Sequence, residues 1–328
     1  MPTPNSDTAV VAAIDLGTNA FRLLVADVDA GGQLNVRHLH RVFPRLGEDV
    51  GQTGRLTERA IDRSIAALGE IRAVVDRFPI DVVVPVATSA VREAGNAAEF
   101  LDRARTETGF DVEVISGTEE ARRTWLGVRA GFAAVGRAIG DAVVMDIGGG
   151  STELISVRGG EFRDAISLDL GVVKLTERCV RHDPPREDEL RRLEAVAREA
   201  LRGAIPVRAA SGPGPTVVGT AGTVTAAAVL HLGLTQYEPA LVHDRLIPRS
   251  AVSEVAARLA GLPAAERRKF PSLDRGREDV ILAGLAILGE ALDLFEAHEV
   301  RVSEYGLREG LVIDWAERHL ASGTFRKA

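Results

Sequence analysis

Val10-Val-Ala-Ala-Ile-Asp-Leu-Gly-Thr-Asn-Ala-Phe-Arg-Leu-Leu24 has a counterpart later in the chain, Ala142-Val-Val-Met-Asp-Ile-Gly-Gly-Gly-Ser-Thr-Glu-Leu-Ile155. Each opens as a continuous apolar run, the pattern of a strand buried on both faces, and each run ends in Asp-X-Gly. Superposing Asp15 on Asp146 sets an offset of 146 − 15 = 131. Ile14 then meets Met145, Leu16 meets Ile147, Gly17 meets Gly148, and Leu23-Leu24 meets Leu154-Ile155. The context repeats as well. Phe21–Val28 and Leu34–Val42 read as strands flanking Asp29-Ala-Gly-Gly32, and Thr152–Val157 and Glu161–Leu168 as strands flanking Gly159-Gly160. Helical and strand patterns follow in both halves. A duplicated βββαβα unit predicts an α/β fold of two similar domains facing each other across a central cleft.

Outward from these segments, the first half reads as a helix over 57–77 with Thr57 as N-cap, a strand at 81–87, a helix near 96–107, a strand at 111–115 and a helix from about 118 capped by Thr118. The second half continues with a helix over 186–203, a Gly/Pro loop at Ser211–Pro215, a strand at Thr216–Val218, a helix over 277–297, a strand at 299–303 and a helix over 307–320. We place the first domain at 1–120, with the C-terminal stretch 307–328 returning to it, and the second at 121–306. A length of 328 residues suits two cores better than one.

The single cysteine, Cys179, cannot form an internal disulfide, which fits a reducing compartment and a cytoplasmic location. Asp15 interrupts the N-terminal apolar stretch, and six ionisable residues interrupt 277–297, so neither reads as a signal peptide or a membrane span. A net charge of −7 argues against nucleic acid as a partner. It leaves a small anionic substrate open, because a metal ion and a few inward arginines can make one site positive on an acidic body.

Three glycine-rich turns follow strands: Asp15–Asn19, Gly148–Ser151 and Gly219–Thr223. Glycine lets the backbone approach a phosphate and turn its N–H groups toward it, and Ser or Thr hydroxyls add donors. Asp15, Thr18, Asn19, Gly148, Gly149, Gly150, Ser151, Gly222 and Thr223 are therefore candidate phosphate-binding residues. A carboxylate beside such a loop would repel phosphate without a cation between them. Asp146 and Glu153 thus suggest a Mg²⁺ site, with Mn²⁺ as the alternative ion. Arg22, equivalent by the repeat to Glu153, Arg92 after a strand end, and Lys174 are candidate phosphate-binding cations. Glu119 reads as a first-turn residue serving the helix dipole, and Glu120 is open to the same account. His182-Asp183 and His243-Asp244 lack partner histidines at metal-binding spacing and read as surface.

Taken in order, Asp15-Leu-Gly-Thr-Asn-Ala-Phe-Arg22, Ala87-Thr-Ser-Ala-Val-Arg92, Ser116-Gly-Thr-Glu-Glu-Ala121, Asp146-Ile-Gly-Gly-Gly-Ser-Thr-Glu153, Gly219-Thr-Ala-Gly-Thr223 and Ser303-Glu-Tyr-Gly-Leu-Arg-Glu-Gly310 resemble the exopolyphosphatase/guanosine pentaphosphate phosphohydrolase (Ppx/GppA) family, in its short two-domain type. The resemblance implies duplicated ribonuclease H-like domains of the actin/hexokinase/Hsp70 ATPase kind. It also implies Glu120 as general base, Asp146 and Glu153 as metal ligands, and phosphate contacts from Thr18, Asn19, Arg22, Arg92 and the Gly148–Ser151 loop. Ala20 stands where the family usually has serine, and Lys174 where arginine is frequent. The implied activity is Mg²⁺-dependent removal of the terminal phosphate of inorganic polyphosphate, with the pentaphosphate pppGpp as the alternative substrate. A kinase of the same fold and an alarmone or nucleotide sensor are the readings from other classes. A homodimer is the default assembly.

Overall fold

The computed structural model describes residues 8–211, 214–273 and 276–325; the loop expected at Ser211–Pro215 lies partly outside them, as do positions 326–328. The chain forms two compact units, Met1–Ala130 with Tyr305–Ala328, and Gly131–Glu304. The first passage between units falls inside the helix Gly117–Ala134, ten residues beyond the boundary set at residue 120.

The first unit has a five-stranded sheet, β1 (Thr8–Leu16), β2 (Phe21–Asp29), β3 (Leu34–Val42), β4 (Val82–Ala87) and β5 (Glu113–Val114), in the order β3-β2-β1-β4-β5. β1 is buried on both sides, as its unbroken apolar run requires. Ala12, Ile14 and Leu16 join a core with Ile61, Leu68 and Phe100, while Ala9, Val11 and Ala13 join one with Leu311, Val312 and Trp315. The second core is formed with the helix Leu307–His319, which packs on β1 and β2. Thr57 caps the helix Glu58–Val75 through the N–H of Ala60, as expected. The helix Gly117–Ala134 is capped two residues earlier than expected: Ser116 Oγ, not Thr118, accepts the Glu119 N–H.

The second unit repeats the sheet with β6 (Ala142–Ile147), β7 (Thr152–Arg158), β8 (Glu161–Leu168), β9 (Thr216–Thr220), β10 (Leu246–Pro248) and β11 (Glu299–Val302), ordered β10-β11-β9-β6-β7-β8. Without the edge strand β10 the two orders are the same. The agreement extends to single residues. Asp15 pairs with Arg22 and Asp146 with Glu153, the Gly17 N–H bonds Ala20 O and the Gly148 N–H bonds Ser151 O, and the β2–β3 irregularity at Val25/Ala26 recurs on β7–β8 at Ser156/Val157. Each of these pairs is separated by the same 131 positions. Both units thus have the duplicated α/β architecture read from the repeat, in agreement with the ribonuclease H-like fold that the family resemblance implies.

The helix expected at 277–297 is shorter, Ile281–Leu294. Its lead-in is a turn because the Glu278 carboxylate accepts the Gly276 N–H at 2.6 Å and the Arg277 N–H at 3.0 Å, offering the backbone a local partner in place of helix bonds.

In the first unit, the helices Gly117–Ala134 and Leu307–His319 touch backbone to backbone. A Cβ on Gly310 would come within 2.6 Å of the Arg123 carbonyl carbon and closer still to its oxygen. Intrinsic helix propensity favours Ala over Gly by about 1 kcal/mol, so a slack contact would make Gly310→Ala stabilising. We expect the opposite, a loss on the order of 3 kcal/mol from overpacking, read from the urea unfolding midpoint.

Candidate active site

In the second unit, Asp146 on β6 lies directly opposite Glu153 on β7. Directly opposed residues of an antiparallel pair share a face with Cβ atoms about 4.5–5.5 Å apart, so two carboxylates stand side by side, which is unfavourable without a cation. Glu153 is only 1% exposed, and Ser167 on β8 donates its hydroxyl to Glu153 Oε1 at 2.7 Å. Among the described residues no set of three or more His, Cys, Asp or Glu is placed to hold a metal. A cation at this pair would therefore take much of its coordination from water and phosphate oxygens, the habit of Mg²⁺. The donor set fits that ion.

The loop beside the pair is shaped from behind. The N–H groups of Val172 and Val173, at the start of the helix Val172–Cys179, donate to Gly148 O at 3.0 Å and Gly149 O at 2.9 Å. In a planar trans peptide the next N–H points opposite to the carbonyl, so the N–H groups of Gly149 and Gly150 are aimed away from that helix. Ser151 is buried. The Lys174 ammonium, on the same helix, is engaged at 2.5 Å by Asp169.

At the third glycine turn, Ala221 adopts a left-handed backbone with φ 67°, a strained state for a residue with a Cβ. The Arg277 guanidinium occupies the space a side chain on Gly222 would need, its Nη2 2.8 Å from that Cβ position. Sequence reasoning missed Arg277, because the apolar periodicity absorbed it into a helix that starts four residues later. Thr223 turns its side chain onto Gly284 of the helix Ile281–Leu294, so its hydroxyl faces that helix.

In the first unit, Asp15 is 5% exposed and ion-paired with Arg22 at 3.5 Å. Burial pushes the Asp15 carboxyl up, against the pull of Arg22 and Arg308. The Thr18 and Asn19 carbonyls accept the N–H groups of Gly47 at 2.9 Å and Arg45 at 3.2 Å, the same backing that the helix at Val172 gives the second unit's loop. Arg92, in the short helix Ser89–Glu93 after β4, bonds Glu120 Oε2 at 3.1 Å and Ile115 O at 2.9 Å. Glu120 is 7% exposed. Its neighbour Glu119 serves a different purpose: hydrogen bonds from Arg122, with Arg123 adding to them, hold its carboxyl down at about 2, and Arg318 lies 3.3 Å away. Within the units, then, the structure brings together Asp15 with Arg22, Arg92 with Glu120, and Asp146 with Glu153.

His182 is exposed, as expected, but His243 is half-buried. Its Nε2 lies 3.0 Å from Gly131 O and its Nδ1 accepts the Glu304 N–H at 3.2 Å, a structural tie made by the neutral ring. Burial lowers its pKa accordingly. Among the described residues, no helix is long and apolar enough to cross a membrane.

The sequence profile of the Ppx/GppA phosphatase family matches residues 24–319. Exopolyphosphatase 2 of Mycobacterium tuberculosis is 36% identical over 321 residues, covering 93% of this chain and 98% of the relative. Among solved structures, the Ppx/GppA family member of Aquifex aeolicus is 34% identical with a TM-score of 0.77, covering 95% of this chain and 99% of the other. An exopolyphosphatase from Cytophaga hutchinsonii is 27% identical with a TM-score of 0.82, covering 94% and 98%.

Proposed function

Because this chain belongs to the Ppx/GppA phosphatase family, we propose that it is an exopolyphosphatase, which hydrolyses the terminal anhydride of inorganic polyphosphate to give orthophosphate and a chain one unit shorter. The observation that carries this reading is the Asp146–Glu153 pair beside a glycine loop whose amides are turned outward by the helix behind it. Mg²⁺ held by Asp146 and Glu153 would supply positive charge to the phosphate oxygens.

The chain's own groups do the rest. The loop amides and Arg22 offset charge on the terminal phosphoryl group as water attacks in line. Glu120 takes the proton of that water. Arg92 bonds Glu120 through one oxygen and the Ile115 carbonyl through the same nitrogen, which fixes the carboxylate's direction. The leaving chain is already an anion and needs little further protonation. A lone, buried Cys179 supports a reducing, cytoplasmic setting.

The test is orthophosphate release from polyphosphate with Mg²⁺, with and without EDTA, run beside pppGpp. We expect turnover on polyphosphate that chelation abolishes and Mg²⁺ restores. A preference for pppGpp in kcat/KM would reassign the substrate, and transfer of labelled phosphate to an organic acceptor in place of water would make the protein a kinase.

A further inference from the structure

We propose that Ser167 is the positioning residue of the cation pair: its hydroxyl holds the Glu153 carboxylate in place for the ion and so sets how tightly the ion binds. The identity of that ion, Mg²⁺, rests on the function proposed above. Asp146 on β6, Glu153 on β7 and Ser167 on β8 pair in register, so they form one row across three neighbouring strands. Opposed residues share a face. Burial agrees, because Met145, Ile147, Leu154, Ile166 and Leu168, which alternate with them along the strands, all pack in the core on the other face. The Ser167 hydroxyl donates to Glu153 Oε1 at 2.7 Å, and among the described residues this is its only hydrogen-bond partner. Glu153 itself is 1% exposed, so a bond to it is made away from competing water.

The residue type fits the task. A third carboxylate opposite Glu153 would repel it. Lys or Arg there would neutralise Glu153 with a fixed charge and compete with the cation. A hydroxyl is neutral and donates one hydrogen bond, so it orients the carboxylate and leaves its charge to the ion. The first unit supplies the contrast: Arg22 stands where the second unit has Glu153, and Asp15 is answered by its guanidinium at 3.5 Å. Ser167 is itself held in register. Leu168, the next residue, pairs with Thr152, and the Thr152 hydroxyl donates to Leu170 O, which ties the end of β8 to the start of β7. Carboxylates that ligate a metal are in general hydrogen-bonded in turn, and losing such a partner costs about 10–100-fold in metal affinity.

The experiment is a Mn²⁺ titration of the metal-stripped full chain without substrate, followed by electron paramagnetic resonance of the free ion and paired with polyphosphate kinetics. Ser167→Ala is expected to bind Mn²⁺ at least about 10-fold more weakly. The Mg²⁺ concentration that gives half-maximal rate should rise about as much, with kcat at saturating Mg²⁺ held within about threefold. Ser167→Thr keeps the hydroxyl on a residue that strands favour and should restore most of the affinity. Asp146→Asn should abolish binding, which assigns the signal to this pair. Ser156→Ala, on the same strand as Glu153 but bonded to the Ser211 hydroxyl at 3.1 Å, should leave Mn²⁺ affinity unchanged. Wild-type Mn²⁺ affinity in folded Ser167→Ala, an equal loss in Ser156→Ala, no Mn²⁺ binding by the wild type, or a loss confined to KM for polyphosphate would overturn the role of Ser167. A wild type whose Mn²⁺ binding depends on Ser167 but which releases no orthophosphate would overturn the proposed activity and leave that role standing.

Discussion

Glu120→Gln is expected to lower kcat on polyphosphate by about 10²–10⁴-fold while leaving KM nearly unchanged, the usual worth of a positioned general base. The substitution is isosteric. Gln can still accept the Arg92 N–H through its carbonyl oxygen, so the side chain stays in place and only its capacity to take a proton is lost. Arg92 keeps its bond to Ile115 O and is 24% exposed, so the charge left behind is partly solvated and the fold should survive. Glu119→Gln is the natural control. Its partners are Arg122, Arg123 and Arg318, a cluster joining the helices Gly117–Ala134 and Leu307–His319, so it should cost stability and spare kcat. Orthophosphate release by both variants decides between them, and near wild-type turnover by Glu120→Gln removes the residue from the chemistry.

Adjacent glutamates with separate partners show what a sequence can and cannot convey. A first-turn acidic pair is ambiguous by itself, because the helix dipole attracts both. Only the long-range partner, Arg92 in one case and Arg318 in the other, tells them apart. The duplication was legible for the opposite reason. Strand pairing has a period of two, so a register conserved over Asp15/Arg22 and Asp146/Glu153 leaves a trace in the apolar pattern. Arg277 left no such trace. Its approach to Gly222 depends on a turn closed by the Glu278 side chain, and helical periodicity cannot register a carboxylate competing for backbone N–H groups. The division between the units likewise left no trace, because it falls inside the continuous helix Gly117–Ala134 with no break in composition to mark it.

Gly171→Ala is expected to lower kcat/KM on polyphosphate at least about 10²-fold with a stability loss of only about 1–3 kcal/mol. Gly171 has φ −124° and ψ 157°, an extended backbone that alanine adopts freely, so nothing is lost through conformation. The whole effect is steric. A Cβ there would overlap the backbone of Gly149 and Gly150, which is not a flexible side-chain end and must itself move. Moving it stretches the bonds from Val172 and Val173 to Gly148 and Gly149, the bonds that aim the loop amides. Catalysis by fixed dipoles depends on their direction more than their presence, and a displacement on the order of 1 Å is enough to lose most of it. Gly159→Ala separates this from a general glycine effect. That hairpin position has φ 59° and open space around the Cβ, so alanine there strains the turn without touching the loop, and should lower the melting temperature while kcat/KM holds. If instead Gly171→Ala retains kcat/KM within a few-fold, the Gly148–Ser151 amides do not hold the reacting phosphate, and a cation held by Asp146 and Glu153 would have to offset the charge of the transition state without them.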